Sequence, residues 1–122
     1  MIFEDNRPIF KQIADYILDN VVSGQWKEGE RLASVREMAT EIEVNPNTVA
    51  RTYNILNEMG IIYNQRGIGY FIADKAQKKA TELRRQEFIN NEIPEIFRKM
   101  DLLEIDIDQL KRYYDVQKNK KK

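Results

Sequence analysis

Residues 34–60 read SVREMATEIEVNPNTVARTYNILNEMG, and this stretch decides the fold. Ser34 followed three residues later by Glu37 is a capping box, in which the serine oxygen and the glutamate carboxylate each accept from the other residue's backbone N–H. Val35, Met38, Ala39 and Ile42 then recur at helical spacing and predict a helix of about two turns. Glu43-Val44 is a short link. Asn45 is a good N-cap and Pro46 a good first-turn residue, because proline's missing N–H would be unpaired there anyway. The next helix is expected to run to about Met59 and stop at Gly60, with Val49, Tyr53 and Leu56 as its buried edge. Two short helices joined by a tight turn form a helix-turn-helix.

The flanks extend this unit. Upstream, Pro8 to Val22 carries Ile9, Ile13, Tyr16 and Ile17 on one helical face, and Ser23-Gly24 ends it. Trp26 and the Lys27–Glu30 turn lead to Leu32. Downstream, Ile61–Asn64 and Tyr70–Ala73 are rich in β-branched and aromatic residues and flank a five-residue linker, Gln65–Gly69, with two glycines. This reads as a β-hairpin, placed where a winged helix-turn-helix has its wing. Glycine at the tip permits positive φ and close approach of the backbone to a phosphate. Tyr53, Tyr63 and Tyr70 are read as packing residues.

From Lys75 glycine disappears, and charged residues alternate with Ala76, Ala80, Leu83, Phe88, Ile89, Ile93, Phe97 and Met100. The pattern predicts a long amphipathic helix over 75–100, kinked or restarted at Pro94. Asp106 with Gln109 marks a further N-terminus, for a helix over 107–118 with Leu110, Tyr113 and Tyr114 as its apolar residues. The expected fold is therefore mainly α with a small β-hairpin. A winged helix-turn-helix domain would occupy 1–74, and a two-helix tail 75–122.

Composition narrows the function. The chain has 122 residues, 42% hydrophobic and 33% charged, with neither cysteine nor histidine. Disulfides, thiolate nucleophiles and the commonest metal ligand are absent together, so neither a metal site, a cofactor nor an enzyme is expected. Asp106 and Asp108 read as a cap and a solvated face. No apolar run approaches the roughly 20 residues that cross a bilayer. Met1–Asp5 lacks the basic start of a signal peptide, so a cytoplasmic protein with no membrane partner is expected. Formal charge is zero overall, but residues 1–74 hold 7 Lys/Arg against 11 Asp/Glu, and 75–122 hold 13 against 9. An acidic head that binds nucleic acid must gather its few arginines on one face.

Taken together, Pro8-Ile-Phe-Lys-Gln-Ile13, Gly29-Glu-Arg-Leu32, Ser34-Val-Arg-Glu-Met-Ala39, Val44-Asn-Pro-Asn-Thr-Val49, Glu58-Met-Gly60 and Arg66-Gly-Ile-Gly-Tyr-Phe71 resemble the winged helix-turn-helix of the GntR family of bacterial transcription regulators. The match is continuous over more than half the chain. The Val44–Val49 wording and the short tail resemble its YtrA-like subgroup. That resemblance implies a homodimeric, sequence-specific DNA-binding repressor of a neighbouring operon, such as a transporter operon, with the tail as dimerisation unit. The tail residues that would form the dimer seam are Leu83, Phe88, Ile89, Ile93, Phe97, Leu110, Tyr113 and Tyr114. The expected partner is double-stranded DNA with an inverted-repeat operator; no residue pattern identifies a small-molecule effector. A winged-helix module for protein–protein contact is the alternative, favoured by the acidic balance of 1–74.

The resemblance places Arg36, Thr48, Arg51 and Gly67 among DNA contacts. Chemistry adds to that set. Asn47, Thr48 and Arg51 sit at the start of the second helix of the motif, the part that reaches base edges, with Asn54 a turn further along. Asparagine pairs bidentately with adenine and arginine with guanine, while a threonine methyl meets thymine. Arg66 and the Gly67 and Gly69 backbone would approach the phosphates or minor groove from the wing. Asn45 is read as a cap. Pro46 and Ala50 stand where many relatives have arginine, so base preference is expected to lean on Asn47 and Arg51.

Overall fold

The structure is a computed structural model that describes residues 6–120. The expectation about a signal segment at Met1–Asp5 lies outside those residues. Two compact units divide the chain, one reaching Arg84 and the other running from Arg85.

In the first unit, α1 (Ile9–Val22), α2 (Val35–Ile42) and α3 (Pro46–Glu58) precede a hairpin of β1 (Ile62–Gln65) and β2 (Gly69–Ile72). The capping box forms: Glu37 N–H donates to the Ser34 hydroxyl at 3.1 Å, and Ser34 N–H donates to the Glu37 carboxylate at 3.0 Å. The Ser34 N–H, bonded to the charged form, and the Ser34 side chain hold the Glu37 carboxyl below its ordinary pKa. Glu43 ends α2 in the left-handed conformation, at φ 58°. Pro8 stands one residue earlier than expected, as the extended N-cap of α1.

The core joins Ile13, Ile17 and Val21 of α1 with Met38 and Ile42 of α2, Val49, Tyr53 and Leu56 of α3, and Ile62 and Ile72 of the hairpin. Their periodicity in sequence is what brings these side chains to one interior. α4 (Ala76–Glu87) adds Ala76 and Ala80, both fully buried in the same core. The compact unit thus runs ten residues beyond the expected boundary at 74, because the small face of α4 packs on the head. Leu83, expected in the dimer seam, is half-buried against that head core. Arg84 adds bonds to Asp15 at 3.0 Å and Asp19 at 2.9 Å on α1.

Two details of the wing differ from expectation. The strands pair from Ile62↔Ile72 to Gln65↔Gly69, which shortens the linker from five residues to three. A third extended segment also joins the outer edge of β2: Gly29 N–H donates to Ile72 O, Ile72 N–H to Glu30 O, and Leu32 N–H to Tyr70 O, all at 2.8–2.9 Å.

The second unit begins in the last turn of α4 and continues through a π-helical turn (Phe88–Glu92), α5 (Ile93–Leu102) and α6 (Ile107–Lys120). Pro94 has no N–H and its ring would press on the carbonyl four residues back. The widened turn, with Ile93 N–H donating to Phe88 O, removes that clash, so the helix restarts just before the proline. Asp106 and Gln109 cap α6 reciprocally, at 2.8 and 3.0 Å.

Candidate nucleic-acid interface

Helix α3 is built to show one face. Asn45 Oδ1 accepts from Asn47 N–H at 2.8 Å and starts the helix, with Pro46 in its first turn. Val49, Thr52, Tyr53 and Leu56 point inward and are buried. The opposite face therefore carries Asn47, Arg51 and Asn54 at i, i+4 and i+7, all exposed, with Thr48 half-buried beside them. Two bonds fix the helix from behind. The Tyr53 hydroxyl donates to Ala33 O at 2.7 Å, and the Thr52 hydroxyl lies 2.9 Å from Thr48 O and 3.3 Å from Phe10 O. Burial pushes the Tyr53 phenol well above its ordinary pKa, so it stays a neutral donor.

Arg36 is the second residue of α2 and is exposed. Arg66, Gly67 and Ile68 form the wing tip, where Gly67 has φ 81° and open space around the position a Cβ would take. Gly69 has φ 143°, and a Cβ there would meet Arg31 Nε at 3.1 Å. Among the described residues, none of Arg31, Arg36, Arg51 and Arg66 forms an ion pair or a side-chain hydrogen bond. The basic residues of this unit that do pair, Arg7 and Arg84, are bound to Asp15 and Asp19 on α1. The head's acidic excess is thus partly spent on its own framework, while four arginines keep their donors for another partner.

Sequence reasoning left three residues of this surface without a role. Arg31 stands beside the wing on the segment paired with β2. Ile68 is an exposed apolar residue at the wing tip. Phe10 lies under the Arg51 guanidinium, whose central carbon is 4.0 Å from the ring centroid. Arg31 was visible in the Gly29–Leu32 stretch; the Phe10 contact spans 41 positions and leaves no local signal.

The family model for bacterial regulatory proteins of the gntR family matches residues 9–72, which takes in α1 through β2. The chain belongs to the gntR family. That family consists of regulatory proteins rather than enzymes. The chain is 47% identical over 75 residues to the uncharacterized HTH-type transcriptional regulator YhcF of Bacillus subtilis, covering 62% of each. It is 41% identical to the HTH-type transcriptional repressor YtrA of the same organism, over 62% of this chain and 58% of that one. The chain therefore matches about three fifths of the length of these curated relatives. A GntR family transcriptional regulator from Listeria monocytogenes has the same fold more completely, with TM-score 0.74 and 34% identity over 93% of this chain and 97% of that one. The YtrA-like resemblance and the winged helix with C-terminal helices are those of these relatives. No helix of the described residues is long and apolar enough to cross a membrane.

Proposed function

We propose that this gntR-family member is a sequence-specific DNA-binding repressor that acts as a homodimer on an inverted-repeat operator. The observation that carries the reading is the exposed stripe of Asn47, Arg51 and Asn54 on α3, with Arg36 on α2 and Arg66 at the wing tip likewise exposed and uncommitted. Amide and guanidinium groups at a helix start match the major-groove edges of adenine and guanine. Arg36 on the first turn of α2 meets a phosphate, and the Arg66-Gly67 wing, with Gly69 at its base, approaches the adjoining backbone. The repressor assignment rests on the likeness to the HTH-type transcriptional repressor YtrA.

The division of labour follows the compact units. The head binds DNA, and the tail pairs two copies through Phe88, Ile89, Ile93, Phe97, Leu110, Tyr113 and Tyr114. Most of these side chains are strongly exposed in the single chain, Phe97 at 51% and Tyr114 at 63%, far more apolar surface than a pair of helices leaves to water. A twofold dimer with one reading helix per subunit requires two half-sites related by inverted symmetry, with centres about one helical turn, roughly 10 base pairs, apart. Selection of bound duplexes from a random-sequence pool tests this. The expected product is an inverted repeat with that spacing; enrichment of single sites or direct repeats, or no enrichment, contradicts it.

A further inference from the structure

Phe10 belongs to the first turn of α1 and Arg51 to the exposed face of α3, and nothing in the capping or core pattern of either helix requires them to meet. They do meet: the guanidinium carbon lies 4.0 Å from the ring centroid. The Thr52 hydroxyl, 3.3 Å from the Phe10 carbonyl, ties the same two turns together at the backbone. Arg51 is exposed, and among the described residues its N–H groups have no hydrogen-bond or ion-pair partner.

We propose that Phe10 is a positioning residue for sequence readout, holding the Arg51 guanidinium on its ring so that the N–H edge is presented ready-made to a base. An aromatic ring attracts a guanidinium through its π-face, whereas hydrogen bonds to a base leave from the guanidinium edge, so one contact does not consume the other. A free arginine side chain has about 2 kcal/mol of rotamer entropy to lose on binding. Holding it beforehand lowers that cost for the base that uses the edge. This inference rests on Arg51 being a base reader.

The test uses the full chain, a duplex that it selects from a random pool, and the same duplex with the base pair that Arg51→Ala ceases to distinguish replaced. The readout is the ratio of the two affinities. An exposed cation–π contact corresponds to about a two- to five-fold factor. Phe10→Leu should lower the ratio by about that factor, leave binding to a scrambled duplex unchanged, and have no further effect in the Arg51→Ala background. Phe10→Tyr should keep the ratio. Pentafluorophenylalanine at position 10 keeps the ring's shape and reverses its quadrupole; it should lower the ratio as leucine does, which decides the matter even if Phe10→Leu unfolds. An unchanged ratio with pentafluorophenylalanine, or equal weakening on all duplexes, overturns the positioning role while Arg51→Ala still relaxes preference. No relaxation in Arg51→Ala itself overturns both this role and the reading of Arg51.

Discussion

The Tyr53 hydroxyl donates a 2.7 Å hydrogen bond to the carbonyl oxygen of Ala33, joining the middle of α3 to the segment just before α2. Tyr53 is fully buried, and its ring meets Tyr70 of the wing edge-on at 4.9 Å between centroids. One side chain thus ties together the three parts of the head that carry Arg36, Arg51 and Arg66. Tyr53→Phe keeps the ring and removes the donor, leaving the Ala33 carbonyl without this partner. It should cost about 1–3 kcal/mol of stability in urea unfolding. An unchanged midpoint would show that the bond has no net value.

The start of α2 should carry a pH dependence. Glu37 is held below its ordinary pKa by the Ser34 N–H, so its contribution is present above the ordinary glutamate value of about 4.3 and is lost as pH falls through the lowered one. Glu37→Gln should therefore flatten the acid limb of the stability curve by lowering stability at neutral pH toward the acid value, while leaving stability at pH 3 nearly unchanged. Thermal melts between pH 3 and 7 check this, and an identical acid limb would contradict it.

Arg51 and Arg36 should fail differently. Arg51→Ala is expected to remove about 1–3 kcal/mol of specific binding and relax preference at one position per half-site. Arg36→Ala should weaken all duplexes evenly and reduce the salt slope by about 1. Fluorescence anisotropy across a salt series separates the two; full affinity in Arg51→Ala with the fold intact would remove α3 as the reading helix.

Replacing Phe88 and Phe97 together by Asp places charges in the proposed seam and should give monomers with a folded head. Sedimentation decides it, since a persistent dimer would put the interface elsewhere.

A head fragment should end at Arg84. Ending at Ala73, where composition changes, would strip Ala76 and Ala80 from the core and the Arg84 bonds from Asp15 and Asp19. The 84-residue fragment is expected to fold but to bind one half-site poorly, because linking two heads raises the effective concentration of the second. Fragment affinity equal to that of the full chain in a gel shift would contradict this.

What was legible in the sequence was local. Ser34 and Glu37, Asn45 and Pro46, and Asp106 and Gln109 act within one turn, and each formed the cap its spacing announces. Features that depend on distant partners were not. Gly29–Leu32 is too polar and short to read as a strand, and its pairing depends on β2 being there to receive it. Ala76 and Ala80 gave a helical face without saying what it faces. The π turn before Pro94 is one of two ways a chain accommodates that residue, and only backbone geometry distinguishes them. Of the proposed site, the stripe on α3 follows from periodicity, whereas the Phe10 ring under Arg51 is a product of the packing of α1 on α3.

The most direct test of a dimeric reader is a gel shift of the full chain on its selected duplex, with five base pairs inserted between the half-sites. Half a turn puts the two half-sites on opposite faces of the DNA, where a closed twofold dimer cannot engage both. Affinity should fall to that of a single half-site; affinity equal to the uninterrupted duplex would contradict the account.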